Sequence, residues 1–255
     1  MLTHQTQIPM KTIKLLFIST LITATLVACK KEDATPTEFY GDAVTLGGGT
    51  AKTYYRTDAF GNPTEIGIAI SETAMSSLPK SSTENSIPLP AEAQAKTPFK
   101  FVLFDYNAQG HEPIHVYDLP HFDVHFYMTS DADRLKINPS DATAATPPAD
   151  GYIPMPRISA GVVPQMGNHW IDVTSPELNG GKFTNTFIFG SAYGKVTFYE
   201  PMITTAYMTP TVHGHFAIKQ PTKFASTGYF PTEYCVKYDA TLKQYEIAIE
   251  TFVMK

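Results

Sequence analysis

The sequence predicts a mainly-β fold, either a single antiparallel β-sandwich or an open barrel, with one or two short helices. Short runs rich in β-branched and aromatic residues alternate with turn-forming residues throughout the chain after residue 38. The 20 Pro and 16 Gly residues suit many turns and edge strands. No sequence repeat at a period of about 20–50 residues is visible, so a repeat architecture is not expected.

The predicted elements follow in chain order. A short helix is expected from residue 71, with Ser71 as its cap and Pro79 ending it. Residues 80–96 are rich in Ser, Pro and Ala and lack periodicity, which predicts a loop. A second short helix is expected within residues 130–137, and a long loop at residues 142–156. The predicted strands are residues 51–57, 65–70, 99–106, 121–128, 184–189, 195–200, 212–219, 234–239 and 244–253.

Composition excludes several classes of protein. The 255 residues are 43% hydrophobic and 17% charged, which is too apolar for a disordered chain. The net charge of −5 gives no basic surface, so nucleic acid is not an expected partner. Two Cys residues exclude a disulfide-dense scaffold and a Cys-rich zinc module, and Cys235 is expected to be an apolar filler within a strand.

The N-terminal segment has the parts of a secretory signal. A positive stretch at residues 10–14 precedes an apolar run at residues 15–27, which is shorter than the roughly 20 residues of a membrane helix. The run ends in Leu-Val-Ala-Cys at residues 26–29, which resembles the bacterial lipobox. The resemblance implies cleavage before Cys29 and lipidation of its thiol. Translation could start at Met1 or at Met10.

This segment sets the expected organisation and location. The predicted parts are a lipoprotein signal peptide at residues 1–28, the lipidated Cys with its tether at residues 29–38, and a single mainly-β domain at residues 39–255. Lys30 resembles an outer-membrane sorting signal, so the cell envelope is the expected location, on the periplasmic or the surface face. Contact with a membrane is expected through the lipid anchor only.

Histidine is concentrated between residues 111 and 125, where four of the eight lie. Within the predicted strand at residues 121–128, polar and apolar side chains alternate, which assigns them to opposite faces. The polar set is His121, Asp123, His125 and Tyr127, and the apolar set is Phe122, Val124, Phe126 and Met128. Residues four apart on a strand are about 13 Å apart, so His121 and His125 cannot share one ion on a regular strand. Asp123 is therefore expected to pair with one of them.

Further candidate ligands come from distant segments. His169 lies beside the only Trp, and Glu200 is expected to end a strand before Pro201. His213 and His215 form a second His-x-His pair, with the spacing needed to share one ion.

These residue types predict a His/carboxylate pocket that holds one divalent transition metal. The candidate ligands are His121, Asp123, His125, His169 and Glu200, supported by His111, Glu112 and Tyr127. Two alternatives remain open: a structural hydrogen-bond network of the same side chains, and a metal-free ligand pocket. The Glu expected after the His-x-His of a cupin is missing, which argues against that type of site.

Several motifs resemble those of a family of uncharacterised secreted bacterial proteins, grouped as a domain of unknown function. They are Gly110–Pro113, residues 116–118, the Pro-His-Phe-Asp-x-His-Phe-Tyr stretch from Pro120, Met-Gly-x-His-Trp from Met166, and Glu-Pro-Met from Glu200. The resemblance implies a mainly-β fold and export, and brings no established activity. It groups His111, Glu112, His121, Asp123, His125, His169 and Glu200 in one cluster, with His115 as the least expected member.

Whether the protein is an enzyme stays open at this point. The chain has no Gly-x-Ser-x-Gly elbow, no Walker loop and no Cys-x-x-Cys motif. Two classes of function therefore remain: a metal-binding protein or metalloenzyme, and a non-catalytic binding or assembly module.

Overall fold

Thirteen β-strands form two antiparallel sheets in the computed structural model, which describes residues 1–2 and 35–255. The mainly-β prediction is confirmed. The expected signal peptide beyond its first two residues, and Cys29, lie outside the described residues. Within residues 35–255, no helix combines the length and the apolar character that a membrane span requires.

The two sheets contain six and seven strands. The strands are β1 (Thr37–Leu46), β2 (Gly49–Thr57), β3 (Pro63–Ser71), β4 (Thr83–Pro88), β5 (Phe101–Asn107), β6 (His121–Tyr127), β7 (Arg157–Val163), β8 (Gly167–Asp172), β9 (Asn185–Ala192), β10 (Lys195–Thr204), β11 (His213–Ala217), β12 (Tyr229–Asp239) and β13 (Gln244–Met254). The α-helices are α1 (Glu72–Met75), α2 (Ala91–Lys96) and α3 (Asp131–Arg134). The six-stranded sheet runs β1-β2-β3-β13-β12-β11, and the seven-stranded sheet runs β4-β5-β6-β10-β9-β8-β7.

The inner faces of the two sheets share one hydrophobic core. Side chains from β3, β12 and β13 of one sheet belong to the same buried cluster as side chains from β5, β6, β9 and β10 of the other. On β6 the apolar residues Phe122, Val124 and Phe126 lie in this core, as the alternation predicts. The polar residues of β6 therefore occupy the outer face of the seven-stranded sheet, where they are also buried.

Two parts of the sequence interpretation were wrong. Residues 80–96 are not a loop, because they contain β4 and α2. β4 escaped prediction because its residues are mostly polar and exposed, with only Ile87 buried. Strands β1, β7 and β8 were not predicted either, and β1 begins at Thr37, where the tether was expected to end.

The second error concerns Pro201. Glu200 does not end its strand, because β10 continues through Pro201 to Thr204 and lies between β6 and β9. Proline has no N–H to donate, so it normally indicates an edge strand or a strand end. Here the register with β6 is the same on both sides of it, with Tyr199 opposite Phe126 and Met202 opposite Asp123.

An ion-pair network covers part of the outer face of the six-stranded sheet. The Arg56 guanidinium binds both carboxylate oxygens of buried Glu246, at 2.6 and 2.7 Å, and its Nε lies 2.6 Å from Glu38. Lys237 and Glu65 extend the network. Burial alone would raise the pKa of Glu246, but hydrogen bonds and the positive charge of Arg56 lower it below the usual 4.5.

The network predicts acid-sensitive stability. Because the pKa of Glu246 is lower in the folded than in the unfolded protein, its stabilising effect is complete above pH 4.5 and is lost as the pH falls through the folded-state value. Glu246→Gln should lower the free energy of unfolding by about 1–3 kcal/mol at neutral pH and reduce this acid dependence. Urea denaturation across a pH series measures both effects.

Glu38→Gln is the matched control, since it removes a more exposed partner of the same guanidinium. It should cost about 0–1 kcal/mol. Equal losses in the two variants would contradict the assignment of Glu246 as the main partner.

Candidate functional site

A cavity of about 560 Å³ lies on the outer face of the seven-stranded sheet. The connection between β5 and β6 and residues of β7 contribute to its walls. Its acidic and histidine lining side chains are Glu84, Asp105, His111, Glu112, Asp123, His125, His169 and Glu200, with no Lys or Arg among the lining residues that the structure describes. Another cavity, of about 740 Å³, is lined by none of the predicted site residues.

Strand register brings the site residues together. Asp105 on β5 pairs with Asp123 on β6. The constant register between β6 and β10 places Glu200 opposite His125. His169 on β8 pairs with Gly190 on β9. The neighbouring strands β4, β5, β6 and β10, together with β8 beyond β9, thus direct polar side chains into one cavity. These side chains are far apart in the chain.

His125, His169 and Glu200 form one group, the inner triad. Nδ1 of His125 lies 3.3 Å from the Leu103 carbonyl oxygen, and Nδ1 of His169 lies 3.2 Å from that of Gly167. A carbonyl can only accept, so each Nδ1 carries the hydrogen and each Nε2 is left with a lone pair. The Nε2 atoms face Glu200, at 3.3 Å from Oε1 for His125 and 3.6 Å from Oε2 for His169.

Burial sets the protonation of the inner triad. It lowers the pKa of His125 to about 4 and that of His169 to about 3. Burial also raises the pKa of Glu200 well above its usual value, and the charges of Asp123 and Asp105 raise it further. Near neutral pH, both imidazoles are therefore uncharged.

His111, His121 and Asp123 form a second group, the outer triad. Nδ1 of His111 lies 2.7 Å from the Glu112 carbonyl oxygen, and Nδ1 of His121 lies 2.6 Å from that of Leu119. Their Nε2 atoms face the two oxygens of Asp123, at 3.2 and 3.0 Å. Burial opposes ionisation of Asp123, but hydrogen bonds and charge from the two histidines hold its pKa far below the usual range.

Several buried polar atoms in this cavity have no hydrogen-bond partner among the described residues. They are both carboxylate oxygens of Asp105, Oδ1 of Asp123, Nε2 of His125 and Oε2 of Glu200. A buried polar atom without a partner costs about 1–3 kcal/mol, so such a concentration is characteristic of a binding site. Burial and the charge of Asp123 raise the pKa of Asp105.

The expected supporting residues occupy different places. Tyr127 does not offer its hydroxyl to either triad, because it donates to the Met166 carbonyl at 2.9 Å. Glu112 lines the cavity with an exposed side chain that accepts from the backbone N–H of Ile114. His115 is exposed and does not line the cavity.

Sequence reasoning missed Asp105 and Asn107. Asn107 donates from Nδ2 to Oδ2 of Asp123 at 2.8 Å. Asp105 lies beside the inner triad, with Oδ2 3.4 Å from Nδ1 of His125. The available signal was a lone acidic residue within the otherwise apolar run at residues 101–106.

His213 and His215 lie apart from both triads, on edge strand β11 of the other sheet. Their Nε2 atoms are 3.4 Å apart, and Nδ1 of His215 contacts the Glu250 carboxylate. Cys235 is buried nearby, and burial raises the pKa of its thiol. A metal at this pair stays a prediction.

Comparison with known proteins gives one family match. Residues 58–106 match a family model described as TTHB210-like, hypothetical protein TTHB210. The similarity is thus to an uncharacterised family, over the segment from the end of β2 to Tyr106 of β5. The motifs from Gly110 to Met202 lie beyond that segment, so their family resemblance stays a prediction. No match was found among curated proteins or among solved structures.

The rings behind the inner triad depend on Gly190. A Cβ at this position would lie 2.0–2.2 Å from three ring carbons of Phe198. The Phe198 ring centroid is 5.0 Å from those of both His125 and His169. The absent side chain therefore leaves room for the aromatic ring against which both histidines pack.

Gly190→Ala should lower the free energy of unfolding by about 1–3 kcal/mol through overpacking against Phe198. In a Phe198→Leu background the same substitution should cost less, because the ring is gone. Urea denaturation of both single variants and the double variant measures this coupling. Additive losses would show that Phe198 is not the obstacle.

Proposed function

We propose that the protein binds one divalent transition metal at the inner triad. The observation that carries the proposal is the buried pair of unpartnered atoms, His125 Nε2 and Glu200 Oε2, beside a His169 Nε2 that also faces the carboxylate. Two fixed imidazoles and one carboxylate are a common ligand set for zinc and for non-haem iron.

The spacing of the ligand atoms supports a tetrahedral ion. Zinc bonds to nitrogen and oxygen of about 2.0–2.1 Å place two tetrahedral ligand atoms about 3.4 Å apart. His125 Nε2 lies 3.3 Å from Oε1 and His169 Nε2 lies 3.6 Å from Oε2, so each imidazole is near this separation from a different oxygen of Glu200. The backbone carbonyls bound to each Nδ1 fix the ring orientation, as outer partners do in metal sites.

The charge of the cavity supports a cation as its occupant. Carboxylates from Glu84, Asp105, Glu112, Asp123 and Glu200 line it without a lysine or an arginine among the described lining residues. Such a cavity attracts metal ions and disfavours phosphate or other anions, because nothing balances added negative charge.

A metal at the inner triad would have an open position facing the cavity. Three protein ligands leave room for water or a bound molecule, as in catalytic zinc sites. Apolar side chains from Val163, Met166, Ile171, Ile188 and Met202 would limit the access of water to that position. A bound zinc supplies Lewis acidity there.

The competing interpretation is a structural network without a metal. Burial raises the pKa of Glu200, and a protonated Glu200 could donate to His125. The protein would then be a non-catalytic binding or assembly module.

We also propose that the chain is an envelope lipoprotein anchored through Cys29. The lipobox-like residues 26–29 and the preceding apolar run support this, and Lys30 favours the outer membrane. Stable anchoring by acyl chains follows from about 0.8 kcal/mol per buried CH₂ group.

Metal analysis tests the first proposal. The purified full chain should retain metal after dialysis, and His169→Asn and Glu200→Gln should each hold about one equivalent less than the wild type, because a ligand is removed. His115→Asn is the control and should retain the metal, because that side chain is exposed outside the cavity. Elemental analysis with circular dichroism separates ligand loss from misfolding. Unchanged metal content in both ligand variants would refute the inner site, and a well-folded protein without metal would favour the structural network.

Membrane fractionation tests the second proposal. Cys29→Ala should move the protein from the membrane to the soluble fraction, because the acylated residue is lost. Cys235→Ala should remain in the membrane fraction. Membrane association of the Cys29 variant would contradict lipid anchoring.

A further inference from the structure

We infer that the outer triad is a second cation site, and that a cation bound there holds the connection between β5 and β6 in place as a wall of the cavity. The inference rests on the proposed function for the use of this cavity, but its ligands are a separate set. Nothing in the sequence comparison assigns these residues a role.

Both histidines of the outer triad carry a hydrogen on Nδ1. Both Nδ1 atoms donate to backbone carbonyls, at 2.7 Å for His111 and 2.6 Å for His121. Both Nε2 atoms therefore converge on one carboxylate, that of Asp123. His111 Nε2 lies within hydrogen-bond distance of Asp123 Oδ2, and a cation between the three side chains would instead be bound by both Nε2 lone pairs and the carboxylate.

The geometry around the Asp123 carboxylate also fits a bound cation. Oδ1 of Asp123 is buried and has no hydrogen-bond partner among the described residues, although Nε2 of His121 lies only 3.0 Å away. His121 Nε2 is thus close to this oxygen without forming a hydrogen bond to it. Two ligand atoms bound at right angles, each about 2.1 Å from a metal, would be about 3.0 Å apart. The separations of 3.0 and 3.2 Å in the outer triad fit this geometry.

The two triads share no side chain, so each would hold its own cation. Their nearest members along the chain, Asp123 and His125, are two residues apart on β6, with Cα atoms about 6.6 Å apart. Asp105 lies between the triads, opposite Asp123 and 3.4 Å from Nδ1 of His125.

The outer site would affect the cavity because His111 belongs to a segment that forms one of the cavity walls. Asp123 and His121 belong to β6, but His111 belongs to the connection at residues 108–120. The same connection supplies Glu112, Pro113 and Tyr117 to the cavity lining. A cation shared by His111 and the strand would tie this wall to the sheet.

The test is a titration of the metal-free full chain with Zn²⁺, repeated with Co²⁺ for its visible absorption. The wild type should bind about two equivalents. His111→Asn and His121→Asn should each bind about one, and His169→Asn should also bind about one. His115→Asn is the control, with two equivalents expected. The His111 variant is informative even if His121→Asn fails to fold, since His111 is partly exposed in the connection.

Hydrogen exchange of residues 108–120 tests the effect on the wall. Adding Zn²⁺ should slow exchange in the wild type and in His169→Asn, and should leave it unchanged in His111→Asn. If the wild type binds one equivalent and only His169→Asn loses it, the outer site is refuted and the proposed function stands. One equivalent that only the outer-triad variants remove would refute the inner site instead. Unchanged exchange despite two bound ions would overturn the role in holding the wall.

Discussion

Burial of both faces of β6 is the constraint on which the rest of the structure depends. Its apolar side chains enter the core between the sheets, and its buried polar side chains lie on the outer face, where Asp123 and His125 line the cavity. Because side chains alternate strictly along a strand, a register slip of one residue would exchange the two sets. The slip would bury His121, Asp123 and His125 in the hydrophobic core, which is strongly unfavourable. The position of the cavity residues and the packing of the core are therefore specified by the same strand.

The alternation of β6 predicted which of its side chains enter the core and which lie on the opposite face, and the structure agrees. The distance along a strand also separated His121 from His125, and in the structure these two histidines belong to different triads. The sequence could not show that Asp105 pairs with Asp123, because cross-strand register depends on contacts between distant segments. It likewise could not place His111, which reaches Asp123 from an irregular connection with no periodic pattern.

Pro201 shows why local rules fail at this site. Proline ordinarily ends a strand, and that rule hid the continuation of β10 past Glu200. In the structure, Pro201 lies within an inner strand, next to a buried carboxylate with an unpartnered oxygen. Departures from local preference often coincide with functional positions, and here Pro201 is adjacent to a residue of the proposed metal site.

The distribution of the ligands along the chain has a consequence for folding. The two triads draw on β6, β8, β10 and the connection after β5, from residue 111 to residue 200. A partly folded chain cannot assemble the inner triad, since β6, β8 and β10 must all be in place, whereas the outer triad needs only β6 and the connection before it. Any ligand of the full set would bind the native state in preference to the unfolded one. By mass action it would raise the free energy of unfolding by about 2.7 kcal/mol at a ligand concentration a hundred times the dissociation constant. The seven-stranded sheet would then be most stable where that ligand is abundant, so the surroundings of the protein would help to determine its lifetime.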